Sequence, residues 1–190
     1  MKNGCAAVVV LFFFVFDARA QLTLTSDERA LTAEAAGSVG TAFPISPYAP
    51  FDQEVSRDVT AGGGHAIAHA KQNSTVSPGA MNATGSSSSQ SDAAPSGCVL
   101  AQATSDFRIT FSVATPVQYS FDGSVNGAEF RLAENVSGTV NVVQSPAGTE
   151  LPYSVGGILR PGRQYTVLAQ SSQLANACNG DSFALAGRIH

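Results

Sequence analysis

Between Ser105 and Ser124 the chain reads SDFRITFSVATPVQYSFDGS. Phe107, Ile109, Phe111 and Val113 occupy every second position, with Arg108, Thr110 and Ser112 between them. Val117, Tyr119 and Phe121 then repeat the pattern against Gln118, Ser120 and Asp122. A period of two with one apolar side is the mark of a half-buried strand, because successive side chains on a strand point to opposite faces. Ala114-Thr115-Pro116 between the two runs is short enough for a tight antiparallel connection, so the spacing predicts a β-hairpin. Its apolar side has to be covered. The fold expected from this stretch is all-β: an antiparallel two-sheet β-sandwich, jelly-roll-like.

Strand signals continue on the C-terminal side. Phe130/Leu132 and Val140/Val142 alternate, and Ser145-Pro146-Ala147-Gly148 is a turn. Leu151/Tyr153/Val155 follow, then Arg160-Pro161-Gly162-Arg163 as a turn into Tyr165–Ala169, and finally Phe183, Leu185 and Ile189 on one face. Turn signals this regular suit a sandwich. On the N-terminal side residues 26–36 support two readings. Thr25-Ser26-Asp27-Glu28 resembles a helix capping box, yet Leu31/Ala33/Ala35 fit a strand period, and a helix here would bury only Leu31, which favours extended structure. Phe43–Pro50, with three prolines, is an irregular connection. Asp52–Thr60 reads as a polar edge strand, Gly62–Gly64 as a turn and Ala66–Ala70 as a small-residue strand. Residues 21–84 have too few large apolar side chains for a separate core. The expected organisation is therefore one domain over 21–190, with a flexible Ser-rich loop near 85–97.

Residues 1–20 read as a secretory signal peptide: Lys2 near the start, the apolar run Cys5–Phe16, and an A-x-A site at Ala18-Arg19-Ala20, with cleavage between Ala20 and Gln21. Twelve apolar residues fall short of the about 20 that a bilayer crossing needs, and no later segment is a candidate span. A secreted, extracellular product is expected. Without the signal there are eight basic and thirteen acidic residues, net −5, with Lys71 the only lysine. Such a chain has no electrostatic footprint for nucleic acid or anionic membrane. Two cysteines remain, Cys98 and Cys178. In an oxidising compartment a disulfide between them is expected, closing a loop for which chain entropy gives on the order of 4 kcal/mol.

The runs Ser105–Val113, Tyr119-Ser120-Phe121-Asp122-Gly123 and G-x-L-x-P-G-x-x-Y-x-V over 157–167 resemble a group of uncharacterised exported bacterial β-sandwich proteins. Members of that group often carry a C-terminal PEP-CTERM sorting tail. The likeness covers about residues 55–189, and the tail motif does not follow Ile189-His190. The resemblance implies a location and a fold, and carries over no catalytic residue.

Motifs for chemistry are sparse. His65 and His69 form H-A-I-A-H, which on a helix would offer a shared metal site. On a strand they would stand roughly 13 Å apart, at about 3.3 Å per residue, too far for one ion. Asp122-Gly123-Ser124 and Asn179-Gly180-Asp181 could lend oxygens to calcium, and equally are ordinary turn sequences. Glu54, Asp58, Asp106, Glu129, Glu134 and Glu150 are scattered, without the paired spacing of a glycosidase. No G-x-S-x-G elbow is present. Asn73, Asn82 and Asn135 begin glycosylation sequons. No catalytic or metal residue and no cofactor is therefore assigned. The expected role is a non-catalytic structural or interaction protein with an extracellular partner. The alternative is a carbohydrate-binding module, with Tyr48, Tyr119, Tyr153 and Tyr165 as stacking platforms for a polysaccharide.

Overall fold

The computed structural model describes residues 22–126, 128–136, 138–144 and 151–189. Residues 1–20, read from the sequence as a signal peptide, and the expected Ala20/Gln21 cleavage site lie outside the described residues. Every regular element in the described part is a strand. The first three are β1 (Leu22–Asp27), β2 (Ala30–Ala35) and β3 (Ser38–Ala42), followed by β4 (Phe51–Ala61), β5 (Gly64–Ser77) and β6 (Ala80–Ala93). Then come β7 (Cys98–Val113), β8 (Val117–Asn126), β9 (Ala128–Val136) and β10 (Gly138–Gln144). The last are β11 (Leu151–Leu159), β12 (Gln164–Cys178) and β13 (Ser182–Ile189).

These form two antiparallel sheets facing one another. Sheet A runs β10-β9-β12-β7-β2-β3, with β1 also on β7, and sheet B runs β11-β8-β13-β6-β5-β4. β1 and β2 lie end to end along one side of β7, pairing with residues 109–113 and 101–106. The two-sheet sandwich expected from the sequence is present, and residues 26–36 are extended, with Ala36-Gly37 at positive φ turning β2 into β3.

Two expectations are corrected. β7 and β8 are not a hairpin: β7 belongs to sheet A and β8 to sheet B, so Ala114–Pro116 carries the chain across the sandwich. A three-residue connection serves an arch between sheets as well as a hairpin, and both keep the same apolar side turned inward. Nor is 85–97 a flexible loop. Residues up to Ala93 belong to β6, hydrogen-bonded to β5 on one side and β13 on the other. Ser87, Ser89 and Ser91 are buried.

Side chains inside the sandwich change character along the long strands. At one end Phe107, Ile109, Phe111, Tyr119, Phe130, Leu132, Tyr165 and Val167 form a core of large residues. At the other, alanines from β2, β5, β7 and β12 pack around Leu31, Phe51, Val55 and Val99. The predicted inner face of Phe107, Ile109, Phe111 and Val113 is correct, and the same alternation of burial extends back without a break to Val99.

Candidate functional site

Between the two apolar clusters, all four long strands switch to polar residues at the same level. β5 contributes Gln72 and Ser74, β6 Ser87, β7 Ser105 and β12 Ser171, all buried. Ser87 and Ser171 share a hydrogen bond of 2.6 Å from sheet to sheet. The Gln72 amide donates to Ser74 at 3.1 Å, and Ser105 donates to the Gln72 carbonyl oxygen at 3.5 Å. Gly85 is part of this belt because a Cβ there would stand 2.5 Å from Ser105 Oγ.

Arg29 closes the belt between β1 and β2, with a fully buried side chain. Its Nε and Nη2 donate to the two carboxylate oxygens of Asp27 at 2.8 and 2.6 Å. Nη2 also donates to the Ala49 carbonyl at 2.9 Å, and Nη1 to Ser74 Oγ at 3.4 Å. The guanidinium lies 6.0 Å from the Phe51 ring centroid. A buried cation is tolerated when its donors are met and an anion neutralises it. Arg29 thereby fastens the proline-rich crossing segment to both sheets. The sequence signals placed it at the start of a possible helix and missed this role.

Below the belt, the sandwich has an open side. β12 pairs with β9 only through residues 164–171, so among the described residues its stretch 172–178 has β7 on one side and no strand on the other. β13 pairs with β6 along its whole length but meets β8 only at Arg188 and Ile189. Among the described residues, 182–187 of β13 therefore have no second neighbour and form a free edge in sheet B. Phe183 and Leu185 stand opposite Ser91 and Ser89 and share their inward face. At this rim they are 50% and 47% exposed, although they lie on the apolar face that the sequence pattern gives the last strand. The buried hydroxyls of Ser89 and Ser91 have no hydrogen-bond partner.

The Cys98–Cys178 disulfide is present, joining directly opposed residues of β7 and β12. His65 and His69 lie on a strand, as expected once the helix is discounted. Each faces a carboxylate of β4: His65 Nε2 is 2.7 Å from Asp58 Oδ1, and His69 Nε2 is 3.0 Å from Glu54 Oε1. Asp92 lies opposite His65 on β6, and its carboxyl is held below the usual range by hydrogen bonds from Ser182 and Gln90, with a smaller contribution from His65. Asp122-Gly123-Ser124 lies within β8 and is not a turn, whereas Asn179-Gly180 does turn β12 into β13, both at positive φ. Among the described residues, no group of three or more His, Cys, Asp or Glu could hold a metal ion.

Asp106, on the outer face of β7, has its carboxyl pushed up by burial, opposed by Arg108 and reinforced by Glu28. Glu134 pairs with Arg163 at 3.1 Å. Glu150 and the side chain of Tyr153 lie outside the described residues. Tyr119 and Tyr165 are buried, the Tyr165 hydroxyl accepting from Arg160 N at 2.8 Å. Tyr48 is 38% exposed, and its hydroxyl accepts from Leu24 N at 3.2 Å. The Asn73 and Asn82 sequons interlock, since Asn73 faces Thr84 and Asn82 faces Thr75 across the β5–β6 ladder. The Asn82 amide donates to Thr75 Oγ1 at 3.3 Å.

Geometry thus defines a class, a disulfide-linked antiparallel β-sandwich with a polar belt and, among the described residues, an open side along β12 and β13. Comparison with protein-family models, with curated proteins and with solved structures gave no match.

Proposed function

We propose that the chain is an exported, non-catalytic interaction protein that engages its partner through a strand edge. The observation that carries this reading is the open side beside β13, where Phe183 and Leu185 are half-exposed along a strand edge that, among the described residues, no other strand covers. Such an edge is a template for pairing with another chain. The titratable side chains support the same reading. His65, His69, Arg108 and Arg163 each face a carboxylate on the surface and are spread over both sheets. Export is supported by the signal-like first twenty residues and by the disulfide.

Sugar binding is the weaker reading, because Tyr119 and Tyr165 are inside the core, where no sugar ring can stack on them. The test has two parts. Expression of the full chain with cell fractionation and N-terminal sequencing should give an exported product beginning at Gln21. Affinity electrophoresis of that product against a polysaccharide panel should show no retardation. A product retained inside the cell, or retardation by one polymer, would overturn the respective half of the proposal.

A further inference from the structure

We infer that β13 pairs antiparallel with β13 of a second copy of the chain, with Ala184 on the two-fold axis. This deepens the proposed edge interaction by naming its partner, and it rests on that reading.

Four observations carry it. The free stretch of β13 reads SFALAG over 182–187, with no charge and no proline, and so lacks the usual devices that discourage edge pairing. Two other edges do carry such devices. β4 exposes Asp52, Glu54 and Asp58, and β3 is five residues long with its Val39 carbonyl taken by Arg57.

The inner faces of two joined sheets must be continuous, which restricts the register to pairs of like parity. With Ala184 on the axis, Phe183 of each copy meets Leu185 of the other, and Ser182 meets Ala186. Both half-exposed apolar residues of each copy are covered by this contact, which the two-fold axis repeats.

Charge selects the direction. Asp181 precedes the free stretch and Arg188 follows it. Antiparallel pairing brings the acidic end of one strand to the basic end of the other, whereas parallel pairing would set like charges together. The available length agrees as well. Among the described residues β8 joins β13 only from Arg188 onward, leaving 182–186 clear for the incoming strand.

Sedimentation equilibrium of the mature chain tests the inference, expecting a mass twice that of one chain. Ala184 is exposed on the outer face, so Ala184→Lys should leave the circular dichroism and melting of the monomer intact. It should abolish the dimer by placing two ammonium groups together on the axis. Ala184→Cys should cross-link to its own copy on mild oxidation, because opposed Cβ atoms in such a pair lie about 4.5–5.5 Å apart, and the covalent dimer should revert with reductant. A monomer at every concentration would overturn the inference. So would a dimer that survives Ala184→Lys and does not cross-link at 184. Either result leaves the export and polysaccharide tests unaffected, so failure of this pairing is distinct from failure of the proposed function.

Discussion

Arg29 is the side chain on which the polar interior turns. Its carboxylate partner Asp27 is itself almost wholly enclosed, so removing the guanidinium strands a buried anion. Arg29→Met should therefore cost about 3–5 kcal/mol, read as a lower urea midpoint with an unchanged slope. Asp106 makes the opposite case. Its folded carboxyl titrates above the ordinary aspartate range because burial disfavours the charge. A raised pKa in the folded state means that this stabilising contribution is complete below the unfolded pKa. It is lost as pH rises through the folded value. Asp106→Asn should then raise the melting temperature at neutral pH, and its advantage should shrink as the solution is acidified. Neither residue could be recognised from its neighbours in sequence. Asp27-Glu28-Arg29 has the look of a helix start, and only the arrival of Ser74 and the Ala49 carbonyl from distant segments makes Arg29 an interior group.

At the scale of strands, the belt fixes how the sheets are set against each other. β6 approaches β7 closely at Gly85, and an alanine Cβ there would collide with Ser105 Oγ. Gly85→Ala should destabilise by about 1–3 kcal/mol. Adding Ser105→Ala should recover part of that loss, so a double-mutant cycle in urea should show non-additivity. The strands themselves were unequally legible. β7 declares itself because large apolar and polar residues alternate across it without interruption. β6 hides, because serines fill both of its faces from 86 to 89 and composition alone suggests a loop. Of its inner serines, Ser87 is satisfied by the Ser171 hydroxyl on β12, while all three stand beside small alanines of β5 that leave them room. The pairing of β7 with β12, and the passage of β8 to the other sheet, are long-range choices that alternation does not encode. The open edge was equally hidden, since Phe183 and Leu185 follow the period of core residues and are uncovered only because β8 leaves β13 so early.

Across the whole molecule, the two apolar clusters are unequal. The large-residue end is held by aromatic and branched side chains, while the alanine-rich end offers less apolar area per residue and carries the disulfide at its margin. Replacing Cys98 and Cys178 together by alanine should cost about 2–5 kcal/mol. Amide exchange should then quicken first in residues 98–103 and 173–178, ahead of 107–113. The arrangement that makes the bridge effective also decides what proteolysis can do. Cys98 and Cys178 bracket every residue from β7 to β12, including the exposed turn around Arg163. A tryptic cut after Arg163 would break the backbone, yet the pieces would stay one molecule, running as a single band until reductant is added and as two thereafter. Outside the cell, a clipped chain of this kind would keep its fragments together for as long as its surroundings remain oxidising.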